Sequence, residues 1–440
     1  MIENKKILVL GLAKSGMSAI RLLYKNNEII ATDKKEQSSE VLDELNKMKV
    51  TFIKSETGEE ILDNTFQLVI KNPGIEPFQP TVKKANSLNI KVINEMEVAY
   101  KYLPKDVKII GITGSNGKTT TTTMIYDLLK LHGKKVYLGG NIGFPLCSLI
   151  GKVESDSILV LEISDHQLYN LDEFKTDISI LTNLCPTHLD FHGNYENYIN
   201  TKKKIFNHHT SSDLAIINYG NKDSLKITED IKSRKKYFCN NVNYYNSEGI
   251  FVNNELIIKL ENILIKGNHN YENILASLVL LDEFGINKDI VKDYFNNFKG
   301  VEHRLEVVPS KRKISFYNDS KATNPTSTLI ALKTMDKPTH LILGGMERKQ
   351  DFNELNDGIN IVKCIYAIGE CEDRVVEYAK SRNILCYKCD TLLNAILKIK
   401  ENVKDNETVL LSCASASWDQ YDKFETRGEE FKNAVEKYFN

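Results

Sequence analysis

Short apolar runs recur along the chain, each closed by a polar turn and followed by a stretch with helical spacing. "KKILVL" is followed by "GLAKSG", then by "MSAIRLLYKN" with apolar residues on one helical face, then by "EIIATD". Runs this short, apolar throughout and bounded by turns, suit strands covered on both faces. Their alternation with helical segments predicts an α/β protein with parallel sheets. "FQLVIKNPGI" adds a strand ending in a turn, and this first unit closes near Asn94.

A second unit opens at "VKIIGITGSNGKTTTTTMIYDLLK". It continues through the strands "SILVLEIS", "DISILTN" and "DLAIIN" to the helix "YENILASLVLLDEF" and the segment "NNFKGVEHRLE". A third opens near "KISFYNDSKATNPTSTLIALKTM", with strands "THLILGG", "CIYAIG" and "TVLLS" and a last helix from about Gly428 to Phe439. The expected domains are residues 1–94, 95–300 and 301–440, in keeping with a 440-residue chain too long for one core.

Composition narrows the function by exclusion. The formal net charge of -1 gives no global field for nucleic acid or an anionic membrane. No apolar run is long enough to cross a bilayer, and the N-terminal run reads as a buried strand rather than a secretion signal. A cytoplasmic protein is expected. The 8 scattered cysteines suit reduced thiols, and the lone C-x-x-C, Cys386 to Cys389, lies in a strand without a second pair to make a zinc site.

The chemistry concentrates in "GITGSNGKTT", Gly111 to Thr120. It lies between a strand and a helix, the setting of a phosphate loop, although Ile112 stands where the common spacing has glycine. Gly114, Ser115, Asn116, Gly117 and Thr120 would surround the phosphates with backbone N–H groups. Lys118 can reach the β/γ-phosphates, and the Thr119 hydroxyl can ligate Mg²⁺. "SILVLEISDHQ" puts Glu162 at a strand's carboxyl end, where a parallel sheet binds ligands. "LTNLCPTHLDFHGN" puts His188 and Asp190 in the polar loop after the next strand. A lone histidine is more often structural; the phosphate loop nearby favours a functional reading.

Taken in order, these segments resemble the Mur ligase family, ATP-dependent enzymes that join an amino acid to a carboxylate. The resemblance covers nearly the whole chain and accounts for the loop spacing, which is the family's own. "NIG" from Asn141, "HLDFHG" with His188, "YINTKKKIF" with Lys202, "GNHNYENILAS" with Asn273, "GVEHRLE" with Arg304 and "YNDSKATNP" with Asp319, Lys321 and Thr323 all match. The resemblance implies three domains: a Rossmann-like first domain, a central ATP-binding domain of the P-loop type and a Rossmann-like third domain. It implies ATP as co-substrate and Mg²⁺, two ions, held by Thr119, Glu162, His188 and Lys202, the last carbamylated. From the residues alone, Lys202 reads as a solvated helix lysine beside Lys203 and Lys204. Asn273, Arg304 and Asp319 would complete the ATP site.

Within the family the pattern is closest to members that add D-glutamate to UDP-N-acetylmuramoyl-L-alanine. "KNPGI", "DSKATNP" and the C-terminal "SCASASWDQYDKFETRGEEF" point there, and "TNPTS" lacks the arginine of diaminopimelate-adding members. The implied partners are small molecules, with neither nucleic acid nor membrane, and a monomer is expected. The UDP portion would meet Lys14, Ser15, Asp33, Lys34, Lys35 and Asn72 in the first domain, and Asn141 and His188 in the second. Lys34 and Lys35 read equally well as solvated turn lysines. D-Glutamate would meet Lys321, Thr323, Arg348, Ser417 and Phe424. Alone, Phe424 is simply a core aromatic, and Trp418 reads as core or pocket wall.

This chain departs from the family at three places: "SDHQ" (Ser164 to Gln167) replaces "SSFQ", Thr187 replaces an acid, and Arg348 replaces a lysine. The nearest alternatives are a folylpolyglutamate ligase or a ligase adding L-alanine or lysine. "GLAKSG" with Asp33 also resembles a dinucleotide fingerprint, which would suit an NAD(P)-dependent oxidoreductase but leaves "GSNGKTT" without a purpose. A nucleotide-binding regulator without turnover is the third reading; the full set Lys118, Thr119, Glu162, His188 and Lys202 argues against it.

Overall fold

Each apolar run quoted above becomes a strand in the computed structural model, which describes residues 1–440. The chain forms two compact units, one of Met1–Leu260 with His269–Lys292, the other of Glu261–Asn268 with Asp293–Asn440.

The first unit begins with β1 (Lys6–Leu10), β2 (Glu28–Asp33), β3 (Thr51–Lys54), β4 (Leu68–Lys71) and β5 (Lys91–Ile93). They form a parallel sheet in the order β3-β2-β1-β4-β5. Alternate β1 residues feed separate cores: Ile7 and Val9 pack with Ile20 and Met96, Leu8 and Leu10 with Val69 and Val82. Two covered faces explain the unbroken apolar run. The helix after β1 starts at Lys14, so half of the expected "GLAKSG" turn is already helical. Gly16 permits this, because a Cβ there would lie 2.0 Å from the Gly11 carbonyl oxygen.

A second parallel sheet follows: β6 (Lys108–Thr113), β7 (Val136–Gly140), β8 (Ile158–Glu162), β9 (Ile178–Leu181), β10 (Leu214–Asn218) and β11 (Arg234–Phe238), in the order β11-β10-β9-β6-β8-β7. The connection from the first sheet is pinned by buried polar groups. Asn94 Nδ2 donates to the Gln167 carbonyl at 2.5 Å. The Glu97 carboxylate accepts the backbone N–H groups of Asp172, Glu173 and Phe174 at 2.9–3.1 Å. Sequence reading missed the small antiparallel sheet β12 (Tyr244–Tyr245), β13 (Gly249–Val252) and β14 (Glu255–Lys259). Its strands are only two to five residues long and are separated by asparagine-rich turns, so no long apolar run marks them.

The second unit holds β15 (Glu306–Val308), β16 (Ser315–Asn318), β17 (Thr339–Gly344), β18 (Val362–Ile368), β19 (Leu385–Asp390) and β20 (Thr408–Leu411). The order is β15-β16-β20-β17-β18-β19, parallel except for β15 against β16. The last helix runs Phe424–Phe439, four residues earlier than expected at its start. Gly428, taken as a helix boundary, lies inside it. The missing side chain makes room for His303, whose Nδ1 would be 2.1 Å from a Cβ.

Glu407 staples this sheet's lower edge, accepting from His340 Nε2 at 2.9 Å and the Lys404 N–H at 2.8 Å and pairing with Lys363. Burial opposes its charge, but Lys363 and the two hydrogen bonds win and lower its pKa to about 2. A carboxyl lowered on folding stabilises the fold above its unfolded pKa, roughly 4.3, and loses that contribution as pH falls toward 2. Glu407→Gln should therefore lower the melting temperature at neutral pH, with the gap from wild type narrowing below about pH 4.3. Thermal denaturation of both proteins across that range checks it; a gap independent of pH would contradict the assignment.

Candidate active site

The carboxyl ends of three adjacent strands, β8, β6 and β9, build one cluster. β6 leads into the phosphate loop. Gly117 has φ 80° and immediately precedes the helix Lys118–Leu131, so the loop's N–H groups meet the helix start. Gly114, at φ 147°, sits so close to β9's extension that a Cβ would lie 1.9 Å from Thr182 Oγ1. Ser115 Oγ bridges Tyr198 Oη at 2.7 Å and the Cys185 carbonyl at 3.0 Å; the Asn116 N–H donates to Asn183 Oδ1 at 3.0 Å. Lys118 Nζ folds back to donate to the Gly114 and Ser115 carbonyls at 2.8 and 2.9 Å. Thr119 and Thr120 are buried in the first turn, and Asn273 Oδ1 accepts from Thr121 Oγ1 at 3.3 Å.

Glu162 pairs in register with Ile112 of β6, which sets its carboxylate beside the loop. Asn141 Nδ2 donates to Glu162 Oε1 at 2.6 Å, while the buried Oε2 has no hydrogen-bond partner. A buried, unpartnered carboxylate oxygen is costly unless a cation meets it. The donor set, oxygen from Glu162 and Thr119, therefore fits Mg²⁺.

Lys202 is wholly buried, not the solvated helix lysine that the residues alone suggest. Its Nζ lies 3.3 Å from Asp165 Oδ1, 3.2 Å from Thr113 Oγ1 and 5.5 Å from the centre of the Tyr198 ring. Burial, with a smaller push from Lys118, lowers its pKa to about 7 despite the attraction of Asp165. Asp165, marked in the sequence as a departure from the family's "SSFQ" beside the metal site, is the hub of the cluster. His188 Nδ1 and His192 Nε2 each lie 2.9 Å from its Oδ2. Burial alone would raise this carboxyl; His188, Lys202 and His192 together hold it far below the usual range. Burial lowers His166 to about 4. His188 itself takes φ 51°, starting the short helix Leu189–His192, so the expected polar loop is helical from Leu189 to His192, Asp190 included.

In the first sheet, Asp33, Lys34 and Asn72 line a cavity of about 410 Å³ at the carboxyl edge, with Gly11, Ala13 and Ile75. Lys14 and Lys35 are exposed and outside that lining, and Ser15 accepts from Asn72 Nδ2 at 3.1 Å. Asp33 fixes the rim by accepting the Leu12 and Lys35 N–H groups at 2.8 and 2.9 Å. Lys71, missed in the sequence, is buried and donates to the carbonyl of Ile75, a lining residue, at 2.5 Å. A lysine ending an apolar run was its only signal.

Three domain families match in sequence: the MurD-like N-terminal domain over residues 5–94, the Mur ligase middle domain over 112–281 and the Mur ligase glutamate ligase domain over 303–415. UDP-N-acetylmuramoylalanine–D-glutamate ligase of Macrococcus caseolyticus is 38% identical over 98% of both chains. The chain belongs to the Mur ligase family. The enzyme of the same name from Listeria monocytogenes is 36% identical, covering 99% of this chain and 97% of its own. The fold is also that of two Thermotoga maritima Mur ligases. UDP-N-acetylmuramate–alanine ligase is 18% identical with a TM-score of 0.60, covering 98% of this chain and 100% of its own. MurF in complex with ADP is 20% identical with a TM-score of 0.60, covering 99% and 96%.

In the second unit of this Mur ligase, Lys321 Nζ lies 5.8 Å from the centre of the Phe424 ring, and Arg348 stacks on the exposed Trp418 at 4.7 Å. Trp418 is thus a surface partner of Arg348 rather than core. Ser417 is buried, and Thr323 is half-buried on the loop after β16. Asp319 accepts from Ser412 Oγ at 2.8 Å and the Leu305 N–H at 3.2 Å; burial raises it to about 7, with Arg304 opposing. Arg427 went unnoticed in the sequence. Its buried guanidinium donates to the Ser320 Oγ and carbonyl and to the Ser415 carbonyl at 2.8–3.2 Å, tying the loop of Lys321 to that of Ser417.

Proposed function

We propose that this Mur ligase adds D-glutamate to UDP-N-acetylmuramoyl-L-alanine, with ATP cleaved to ADP and phosphate, in peptidoglycan precursor synthesis. It is an ATP-dependent ligase. The observation that carries the reading is the half-buried Lys118 of the phosphate loop with the buried Glu162, at the end of β8, and the buried Lys202, whose Nζ meets Thr113 at the end of β6, in a chain alike along its length to D-glutamate ligases.

The roles follow from the chemistry. A substrate carboxylate takes the γ-phosphoryl group, and the amine of D-glutamate then displaces phosphate from the acyl phosphate. Such a reaction needs positioning and charge compensation more than a protein nucleophile. The loop from Gly114 to Thr120 holds the phosphates through N–H groups, with Lys118 supplying the positive charge. Glu162, Thr119, His188 and carbamylated Lys202 would hold Mg²⁺, two ions, which when bound offset the phosphate charge. A lysine near pKa 7 carries much neutral amine at physiological pH, the form that adds CO₂ to give a carbamate and release a proton.

In this reading residues 1–94 hold the UDP portion, with Asp33, Lys34 and Asn72 at the cavity and Lys14, Ser15 and Lys35 at its margin. Residues 95–300 bind ATP, and Asn141 positions both Glu162 and substrate. Residues 301–440 supply Arg304 and Asp319 toward ATP and Lys321, Thr323, Arg348, Ser417 and Phe424 toward D-glutamate. Arg348 offers a two-pronged guanidinium to a carboxylate. The enzyme acts in the cytoplasm as a monomer. No helix is long and apolar enough to cross a membrane.

Phosphate release from ATP is the test, with UDP-N-acetylmuramoyl-L-alanine and a panel of D- and L-amino acids. Stimulation by D-glutamate alone is expected. Turnover with a different amino acid and none with D-glutamate would keep the chemistry and reject the substrate.

A further inference from the structure

Three imidazole nitrogens converge on one carboxylate oxygen. His188 Nδ1 and His192 Nε2 lie 2.9 Å from Asp165 Oδ2, and His166 Nδ1 lies 3.3 Å from it. A carboxylate oxygen offers two lone pairs, so three ring donors crowd it. His166 is held in place by packing, its ring centre 4.2 Å from that of Phe191 and 4.9 Å from that of His188. The ligand atoms of Asp165, His166 and His188 all fall within 4.8 Å of one another. Zinc bonds of about 2.0–2.1 Å in a tetrahedron put neighbouring ligand atoms roughly 3.3 Å apart. The His166–Asp165 spacing of 3.3 Å equals that edge, and the His188–Asp165 spacing of 2.9 Å falls a few tenths of an ångström short of it.

We propose that Asp165, His166 and His188 form a binding site for an imidazole-preferring transition-metal ion, zinc foremost. Two of the three ligands are nitrogen, a set that favours zinc over magnesium, which selects oxygen. His192 is wholly buried and acts one step out: its Nε2–H orients the Asp165 carboxylate that ligates the ion. The site depends on a departure from the family's "SSFQ", which offers serine and phenylalanine where Asp165 and His166 stand. It is not the magnesium group of the proposed reaction but shares His188 with it. One consequence rests on that functional reading: zinc draws His188 away and inhibits the ligase. Metal binding requires each ligating ring nitrogen to be free of its proton, so the ion's affinity rises with pH.

The experiment uses the full chain, stripped of metal by chelation and titrated with Zn²⁺ by calorimetry and with Co²⁺ by visible absorption, without nucleotide or substrate. One ion per chain and a Co²⁺ ligand-field spectrum are expected. His166→Phe, which restores the family residue, should weaken Zn²⁺ binding by at least about tenfold. The melting temperature and magnesium-supported phosphate release should stay near wild type, and zinc inhibition should be relieved. Absence of Zn²⁺ binding to the wild type, or equal binding to His166→Phe, overturns the proposal. The titrations need no ligase activity. Failure of the D-glutamate assay with zinc binding intact would therefore reject the function and keep the site.

Discussion

Lys118→Ala should lower kcat for ATP-dependent phosphate release by about 10²- to 10³-fold, the scale lost when one preorganised group opposite developing charge is removed. The melting temperature should barely move. Lys118 starts a helix at a position where alanine is at least as favourable, and its Nζ donates to two carbonyls of its own loop through part-buried hydrogen bonds. The effect belongs to the transferring phosphoryl group, where charge must be met in place, so kcat should fall more than the KM for ATP rises. Lys118→Arg should rescue little, because the Gly114 and Ser115 carbonyls define a slot for a compact ammonium. Steady-state kinetics with D-glutamate saturating checks both variants. A loss below about threefold in Lys118→Ala would remove Lys118 from the phosphate-binding role.

The sheets were legible because parallel strands covered on both faces are written as plain apolar runs. Glu162 was legible for a related reason: the first polar residue after such a run marks the sheet edge where ligands bind. What the pattern could not carry was convergence. Asp165 and Tyr198 stood out only by comparison with the family's motifs, and His192 not at all; the three meet through folding of segments with no common spacing. Lys202 was misleading by composition, since the two lysines that follow it suggest a solvated helix face while its own side chain is buried. Gly428 misled in another way. Glycine more often ends a helix than serves its packing, and only His303, distant in sequence, explains it. Arg427 left no signal at all, because its partners are a hydroxyl and backbone carbonyls rather than a carboxylate that sequence could pair with it.

Lys202→Met should damage both stability and activity, and the two losses separate with Lys202→Arg. Methionine fills the buried slot but leaves the Asp165 carboxylate without its cation at 3.3 Å. Removing one partner of a buried pair typically costs about 3–5 kcal/mol, here reduced because His188 and His192 still meet Oδ2. Arginine restores a positive charge to Asp165 and should recover part of that stability. It presents no neutral amine to CO₂, so ligase activity should remain down by about 10²-fold or more. The wild-type ion pair itself opposes carbamylation. A carbamate would set a second negative charge near Asp165, and two unit charges about 3.3 Å apart repel by roughly 5 kcal/mol at an effective dielectric near 20. A divalent cation relieves that repulsion. A carbamate signal in ¹³C spectra with labelled bicarbonate should therefore grow on addition of Mg²⁺ and be missing from both variants. Full activity in Lys202→Arg would show that positive charge, not a carbamate, is what the site needs from this position.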